Sequence, residues 1–266
     1  MNGGKGAAGL PQMSEREMLR RLLSEDEERS QDEPAIAASI GEQMLHMNLI
    51  PLPRSLRARI RDACSRTPTR NAILIGGGIG HLAAWMLDLW CGPPDVSGLG
   101  TGHRPITFRI VEPGTRFGVV IDRLIRRHEA ESWTQVIPLP WLEVSAEAAS
   151  WKAASAALPE AAQQTLLPMP PDLVVIDLPE EDRATSAASA FEMIAPGGVV
   201  LVLEPEVPSG DVGTPQDGEE PTPAQSKVIS FNSWIKLIKH VDENHALGFV
   251  ELTGGTLVAL LRTDSE

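Results

Sequence analysis

The run Ile73-Leu-Ile-Gly-Gly-Gly-Ile-Gly80 leads an apolar strand into a glycine turn, and a helical pattern starts directly after it at His81. Gly76, Gly78 and Gly80 let a backbone bend tightly and approach a ligand with no Cβ in the way. The helix N-terminus that follows offers free N–H groups to anionic or polar atoms. A ligand-free strand-to-helix turn would carry the same glycines. A dinucleotide site favours Gly-x-Gly-x-x-Gly, whose last glycine lets helix and strand pack closely. Here His81 takes that position.

Three carboxylates stand where strands end. Glu112 closes the strand after the glycine turn, where a carboxylate can accept both hydroxyls of a ribose. Its distance from Gly76 exceeds the ~20 residues of that geometry by about the length of the Pro- and Gly-rich insertion Cys91–Pro105. Asp177 ends the run Leu173–Ile176, and Glu204 ends Val199–Leu203. The carboxyl ends of parallel strands form the ligand crevice of an open sheet. Two acids on neighbouring ends could position a substrate, act as a base or hold a divalent cation. They could equally cap the helices that follow.

Other chemistries lack their residues. His46, His81, His103, His128, His240 and His245 are scattered, without metal-ligand spacing. No Gly-x-Ser-x-Gly elbow occurs, and no Lys follows the glycines as a phosphate-binding loop requires. Trp141 could stack on a purine, or simply line the core. Six arginines between Arg54 and Arg70 face one acid, Asp62; they read as a solvated helix face or a meeting place for an anion. The acidic run Glu25–Glu28 reads as a solvated loop.

The elements that must hold these residues are legible from periodicity. Helices are expected near Ser14–Leu23, Pro34–Met47 and Arg54–Ser65. From residue 71 strands and helices alternate. Strands are expected at Ala72–Ile75, Ile106–Val111, Gln135–Leu139, Leu173–Ile176 and Val199–Leu203. Helices are expected at His81–Trp90, after Val111, over 145–165, at Ala184–Ile194 and at Ser233–Val241. Leu247–Leu252 and Thr256–Leu261, parted by Gly254-Gly255, read as a terminal hairpin. This order predicts an α/β fold with a mostly parallel seven-stranded sheet, closed by an antiparallel pair and fronted by N-terminal helices. Residues 1–12 read as a disordered tail, 13–70 as a helical cap, 71–266 as the sheet domain and 205–226 as a flexible loop.

The chain has 266 residues, 42% of them hydrophobic, and a formal charge of −13. Its acidity argues against general nucleic-acid binding, which draws affinity from neutralised phosphates. No apolar run approaches the ~20 residues of a membrane span, and residues 1–17 lack the apolar stretch of a signal peptide. Cys64 and Cys91 are too few for a disulfide scaffold. A cytoplasmic protein is expected, with no membrane or nucleic-acid partner. Its amphipathic N-terminal helices offer a surface for a homodimer.

Taken together, Leu74-Ile-Gly-Gly-Gly-Ile-Gly80, Val111-Glu-Pro113, Asp172-Leu-Val-Val-Ile-Asp177, Ala195-Pro-Gly-Gly198 and the terminal strand pair resemble the class I S-adenosylmethionine-dependent methyltransferases. Within that class the chain is most similar to the small O-methyltransferases related to catechol O-methyltransferase. The resemblance covers about residues 50–262. It implies a Rossmann-like methyltransferase fold, S-adenosylmethionine as cofactor and a small-molecule acceptor. It implies that Gly76, Gly77, Gly78 and Gly80 line the methionine part, that Glu112, with Pro113 beside it, holds the ribose, and that Asp177 stands by the transferring methyl. Asp177 and Glu204 are the expected catalytic residues.

The chain departs from that family at named positions. Leu74 stands where an acid usually precedes the glycines. Leu203-Glu204 stands where metal-dependent members carry Asp-Asn, so no metal site is expected. The triple glycine also resembles polyamine aminopropyltransferases, whose acid after the third glycine is Ile79 here. Two other readings stay open on these residues. One is a flavin- or nicotinamide-dependent oxidoreductase, which shares the glycine turn and Glu112. The other is a catalytically weakened member that serves as a binding or regulatory protein.

Overall fold

The computed structural model describes residues 14–94, 100, 103–157, 165–209 and 220–263. The tail 1–12, part of the Cys91–Pro105 insertion, 158–164 and the centre of the 205–226 loop lie outside the described residues. Three helices come first: α1 (Glu15–Leu22), α2 (Ala35–His46) and α3 (Arg54–Arg66). Then follow β1 (Asn71–Ile75), α4 (His81–Cys91), β2 (Thr107–Val111), α5 (Thr115–Arg127), β3 (Thr134–Ile137) and α6 (Trp141–Ala157). The chain continues with β4 (Leu173–Ile176), α7 (Glu180–Met193), β5 (Val199–Leu203), α8 (Pro223–Asn244), β6 (Ala246–Leu252) and β7 (Gly255–Leu261).

The strands form one seven-stranded sheet in the order β3-β2-β1-β4-β5-β7-β6. The first five run parallel; β7 is antiparallel to both β5 and β6. Parallel strands buried on both faces need apolar residues at every position, not at alternate ones. Hence β4 and β5 read as unbroken apolar runs and are buried throughout. Successive residues feed opposite layers. Leu74 packs with α1 to α5, whereas Ile73 and Ile75 pack with α6 to α8. Leu19, Ile40, Leu56 and Ile60 of the first three helices belong to the same apolar cluster as α4 and α5.

Among the described residues the element types agree with the sequence reading, and the differences lie at ends. Ser14 caps α1 through its side chain, as expected. Helix α7 begins at Glu180 rather than Ala184, because Pro179 and three acids start it. Helix α8 begins at Pro223, inside the expected loop. Thr222 and Gln225 form a reciprocal capping box there, a signal that outweighs the Pro/Gly composition just before it.

The basic patch is the clearest correction. The arginines of α3 are not a solvated face. Arg61 is buried and donates to Asp62 and to the Ser30 carbonyl. Arg59 donates to the Leu23 carbonyl and pairs with Glu25. Arg66 reaches the carbonyls of Leu22 and Ser24, and Arg54 reaches the Gln31 carbonyl and Asp32. Asp62, fully buried, also accepts from the backbone N–H of Asp26. The acidic linker between α1 and α2 and the basic helix α3 are therefore two halves of one clamp. A loop without its own secondary structure must find partners for its backbone carbonyls, and guanidinium groups supply them.

Candidate functional site

The strand order reverses between β1 and β4, since the chain moves outward one way through β2 and β3 and the other way through β5. An open α/β sheet binds its ligands outside the carboxyl ends at that point. The register places Ile75 beside Val111 on one side and Ile176 on the other, with Ile176 beside Val202. Glu112, Gly76 and Asp177 therefore leave three adjacent strands side by side. Glu204 leaves the fourth, one residue further on.

The glycines of the turn do different jobs. A Cβ on Gly76, at φ +88°, would lie 2.1 Å from the Asp177 carbonyl oxygen. A Cβ on Gly77 would meet Ile110 and Ile121 at 2.7 and 2.8 Å. Both residues are small because β1, β4 and α5 approach closely there. Gly80 caps α4 from the left-handed region, without a side-chain cap. Gly78, at φ +51°, has nothing within 4 Å of its would-be Cβ and faces open space.

Glu112 ties this turn down. Its buried carboxylate accepts the Gly78 N–H at 2.7 Å and the Gly114 N–H at 2.9 Å, one on each oxygen. A carboxylate has about four lone-pair sites, so each oxygen keeps capacity for one further donor. A vicinal diol supplies two. Pro113, beside it, is exposed.

Asp177 is half-buried, and its side chain makes no hydrogen bond among the described residues. Burial pushes its pKa up to about 6, against the nearby charges of Arg183 and Arg57. A carboxyl in that range exchanges a proton near neutrality. The sign of its contribution to stability follows. The folded pKa lies above the unfolded one, so stability is present at low pH and is lost as pH rises through about 6. Asp177→Asn is expected to raise the melting temperature at pH 8 and to leave it unchanged at about pH 3, below the unfolded carboxyl's own range; the gain is on the order of 2 kcal/mol. Thermal unfolding at both pH values measures it. Glu204 is half-buried, and its backbone N–H is held by the Thr256 carbonyl.

A charged group that periodicity did not single out lies at the exit of the turn. Glu33, from the linker before α2, Arg57 of α3 and His81, the first residue of α4, meet around one point. Arg57 Nη1 contacts Glu33 Oε1 and His81 Nε2, and His81 Nε2 lies 2.8 Å from Glu33 Oε1. Burial pushes the Glu33 carboxyl up, but the His81 bond and the Arg57 charge outweigh it and hold it below the usual range. Burial pushes His81 down, which favours a neutral imidazole. One signal could have found Arg57: Arg57 and Arg61 sit one turn apart beside the apolar stripe of Leu56, Ile60 and Cys64, and both lie over the Trp85 ring.

Trp141 is buried and donates to the Ser189 hydroxyl, so it joins α6 to α7 and does not line the crevice as a free ring. Asp172, at the other end of β4, accepts the backbone N–H groups of Arg70 and Asn71, each at 2.8 Å; its role is to fasten β4 to β1. Among the described residues no three His, Cys, Asp or Glu side chains gather in a metal-binding group. No helix among them is long and apolar enough to cross a membrane.

These features define the class of fold. It is the Rossmann-like fold of the class I methyltransferases, a mostly parallel seven-stranded sheet closed by an antiparallel hairpin. Solved structures share it at low sequence identity. An O-methyltransferase from Bacillus cereus in complex with SAH is 14% identical, with a TM-score of 0.54 over 87% of this chain and 92% of that one. The O-methyltransferase TomG from Streptomyces achromogenes, involved in tomaymycin synthesis and solved with SAM, is 13% identical, with a TM-score of 0.54 over 94% and 100% of the two chains. A protein from Corynebacterium glutamicum is 14% identical, with a TM-score of 0.58 over 93% and 97%. No family model and no curated protein sequence matches the chain.

Proposed function

We propose that this chain is an S-adenosylmethionine-dependent methyltransferase that methylates an oxygen of a small-molecule acceptor. The observation that carries the reading is the Glu112 carboxylate, which spans the glycine turn and the start of the next loop beside the open side of Gly78. It retains two acceptor positions at the point where an adenosyl ribose would lie. The Bacillus cereus and Streptomyces achromogenes proteins of the same fold, solved with SAH and SAM, add support.

S-adenosylmethionine, when bound, supplies an electrophilic methyl on its sulfonium. The chain's own residues do the rest. Glu112 would take the ribose hydroxyls on its free lone pairs, and the Gly76–Gly80 backbone would leave room for the thioether arm. Asp177, at the end of the neighbouring strand, would take the acceptor's hydroxyl proton once it is ionised above about pH 6. Glu204 supplies a second carboxylate one strand along. Holding acceptor and methyl in line accounts for most of such a rate, so the crevice walls matter as much as the base. The reading includes a cytoplasmic location, a homodimer formed through the N-terminal helices and no nucleic-acid partner, the last supported by the net charge of −13.

Calorimetric titration with S-adenosylmethionine and S-adenosylhomocysteine tests the reading. One-to-one binding of both is expected. A folded protein, judged by circular dichroism, that binds neither overturns it. A yellow preparation with flavin absorbance would replace it with the oxidoreductase reading.

A further inference from the structure

Arg57 differs from its neighbours on α3. Arg54, Arg59, Arg61 and Arg66 all donate to backbone carbonyls of the α1–α2 linker. Arg57 donates to none. Its charge is felt by Asp177 at the end of β4, and it touches His81 at the exit of the glycine turn. Its Nε is buried with no partner. Its Nη2, Glu33 Oε2 and His81 Nδ1 carry no hydrogen bond among the described residues, yet none of the three is sealed from solvent.

A buried ion pair that served packing alone would be expected to have its sealed donors satisfied, because a desolvated charge with open valences is costly, and Arg57 Nε is left without an acceptor. This group instead presents one cation, one carboxylate and one neutral imidazole with unused atoms. That set complements a zwitterion: a carboxylate for Arg57, an ammonium for Glu33. The turn itself offers backbone N–H groups but no such side chains. Residues Leu74 to Gly80 carry no charged side chain, and Leu74 is fully buried.

We infer that Glu33, Arg57 and His81 form the subsite for the α-amino-acid end of an S-adenosylmethionine-type ligand. This rests on the cofactor reading above. Selectivity for the amino-acid tail then comes from the helices in front of the sheet, not from the glycine turn. Ligands with the adenosyl group but no tail would gain nothing from this group.

The test compares two probes by calorimetry: S-adenosylhomocysteine and 5′-methylthioadenosine, which keeps the adenosyl thioether and lacks the amino acid. The unsubstituted protein is expected to bind the first at least about tenfold more tightly. Arg57→Gln should weaken S-adenosylhomocysteine at least about tenfold and change methylthioadenosine by less than about twofold. Because Arg57 is buried, the more exposed Glu33→Gln is measured beside it, with the same expected pattern, and circular dichroism checks both folds. Equal binding of the two probes by the unsubstituted protein overturns the subsite and leaves the cofactor reading standing. So does an unchanged ratio in the folded variants. Binding of neither probe strikes the cofactor reading itself.

Discussion

Glu112→Ala is expected to abolish measurable binding of S-adenosylhomocysteine and to lower stability by about 2–4 kcal/mol. The two effects have one origin. The carboxylate satisfies the N–H groups of Gly78 and Gly114 in a buried place, so its removal leaves two donors without acceptors. It also removes both lone-pair positions a ribose diol would use. Glu112→Gln separates the effects. An amide keeps one acceptor oxygen and introduces an N–H₂ that faces a backbone N–H, so one of the two turn bonds is lost and the other weakens. Calorimetric titration gives the affinity, and denaturant unfolding gives the stability. Full binding by the folded alanine variant would refute the ribose role.

The second large effect separates glycines that look equivalent in the sequence. Gly76→Ala would drive a Cβ into the Asp177 carbonyl from a left-handed backbone, and neither group can yield without parting β1 from β4. A loss above about 4 kcal/mol is expected, enough to unfold many domains of this size. Gly78→Ala meets nothing and bears only the left-handed backbone penalty, about 1–2 kcal/mol. It should fold. Its methyl would project into the space proposed for the cofactor, so S-adenosylhomocysteine affinity should fall at least about tenfold. Expression yield, thermal melting and titration distinguish the two variants. A stable Gly76→Ala protein, or a Gly78→Ala protein with full affinity, would contradict this division of labour.

The main elements were legible because the strands that matter are apolar at every position and the helices between them repeat at helical spacing. Strands β4 and β5 carry their bounds in plain view, ended by Asp177 and Glu204. Boundaries slipped where capping outweighed composition, as at Pro179 and at the Thr222–Gln225 box. The glycine turn and Glu112 were legible as candidates because only a few residue types suit a tight strand-to-helix bend and a diol. Trp141 was not resolved by sequence, since an indole reads the same whether it stacks on a ligand or bonds to Ser189.

The sequence by itself determined the alternation of strands and helices, the glycine turn and the carboxylates at the strand ends, because these depend on local pattern and on short spacing. Only the tertiary structure decided which glycine faces open space, that the basic and acidic runs clamp one another, and that Glu33, Arg57 and His81 meet. Those three residues come from a linker and two helices far apart in the chain. Their meeting depends on how the front helices pack against α4, a long-range contact that no local periodicity encodes.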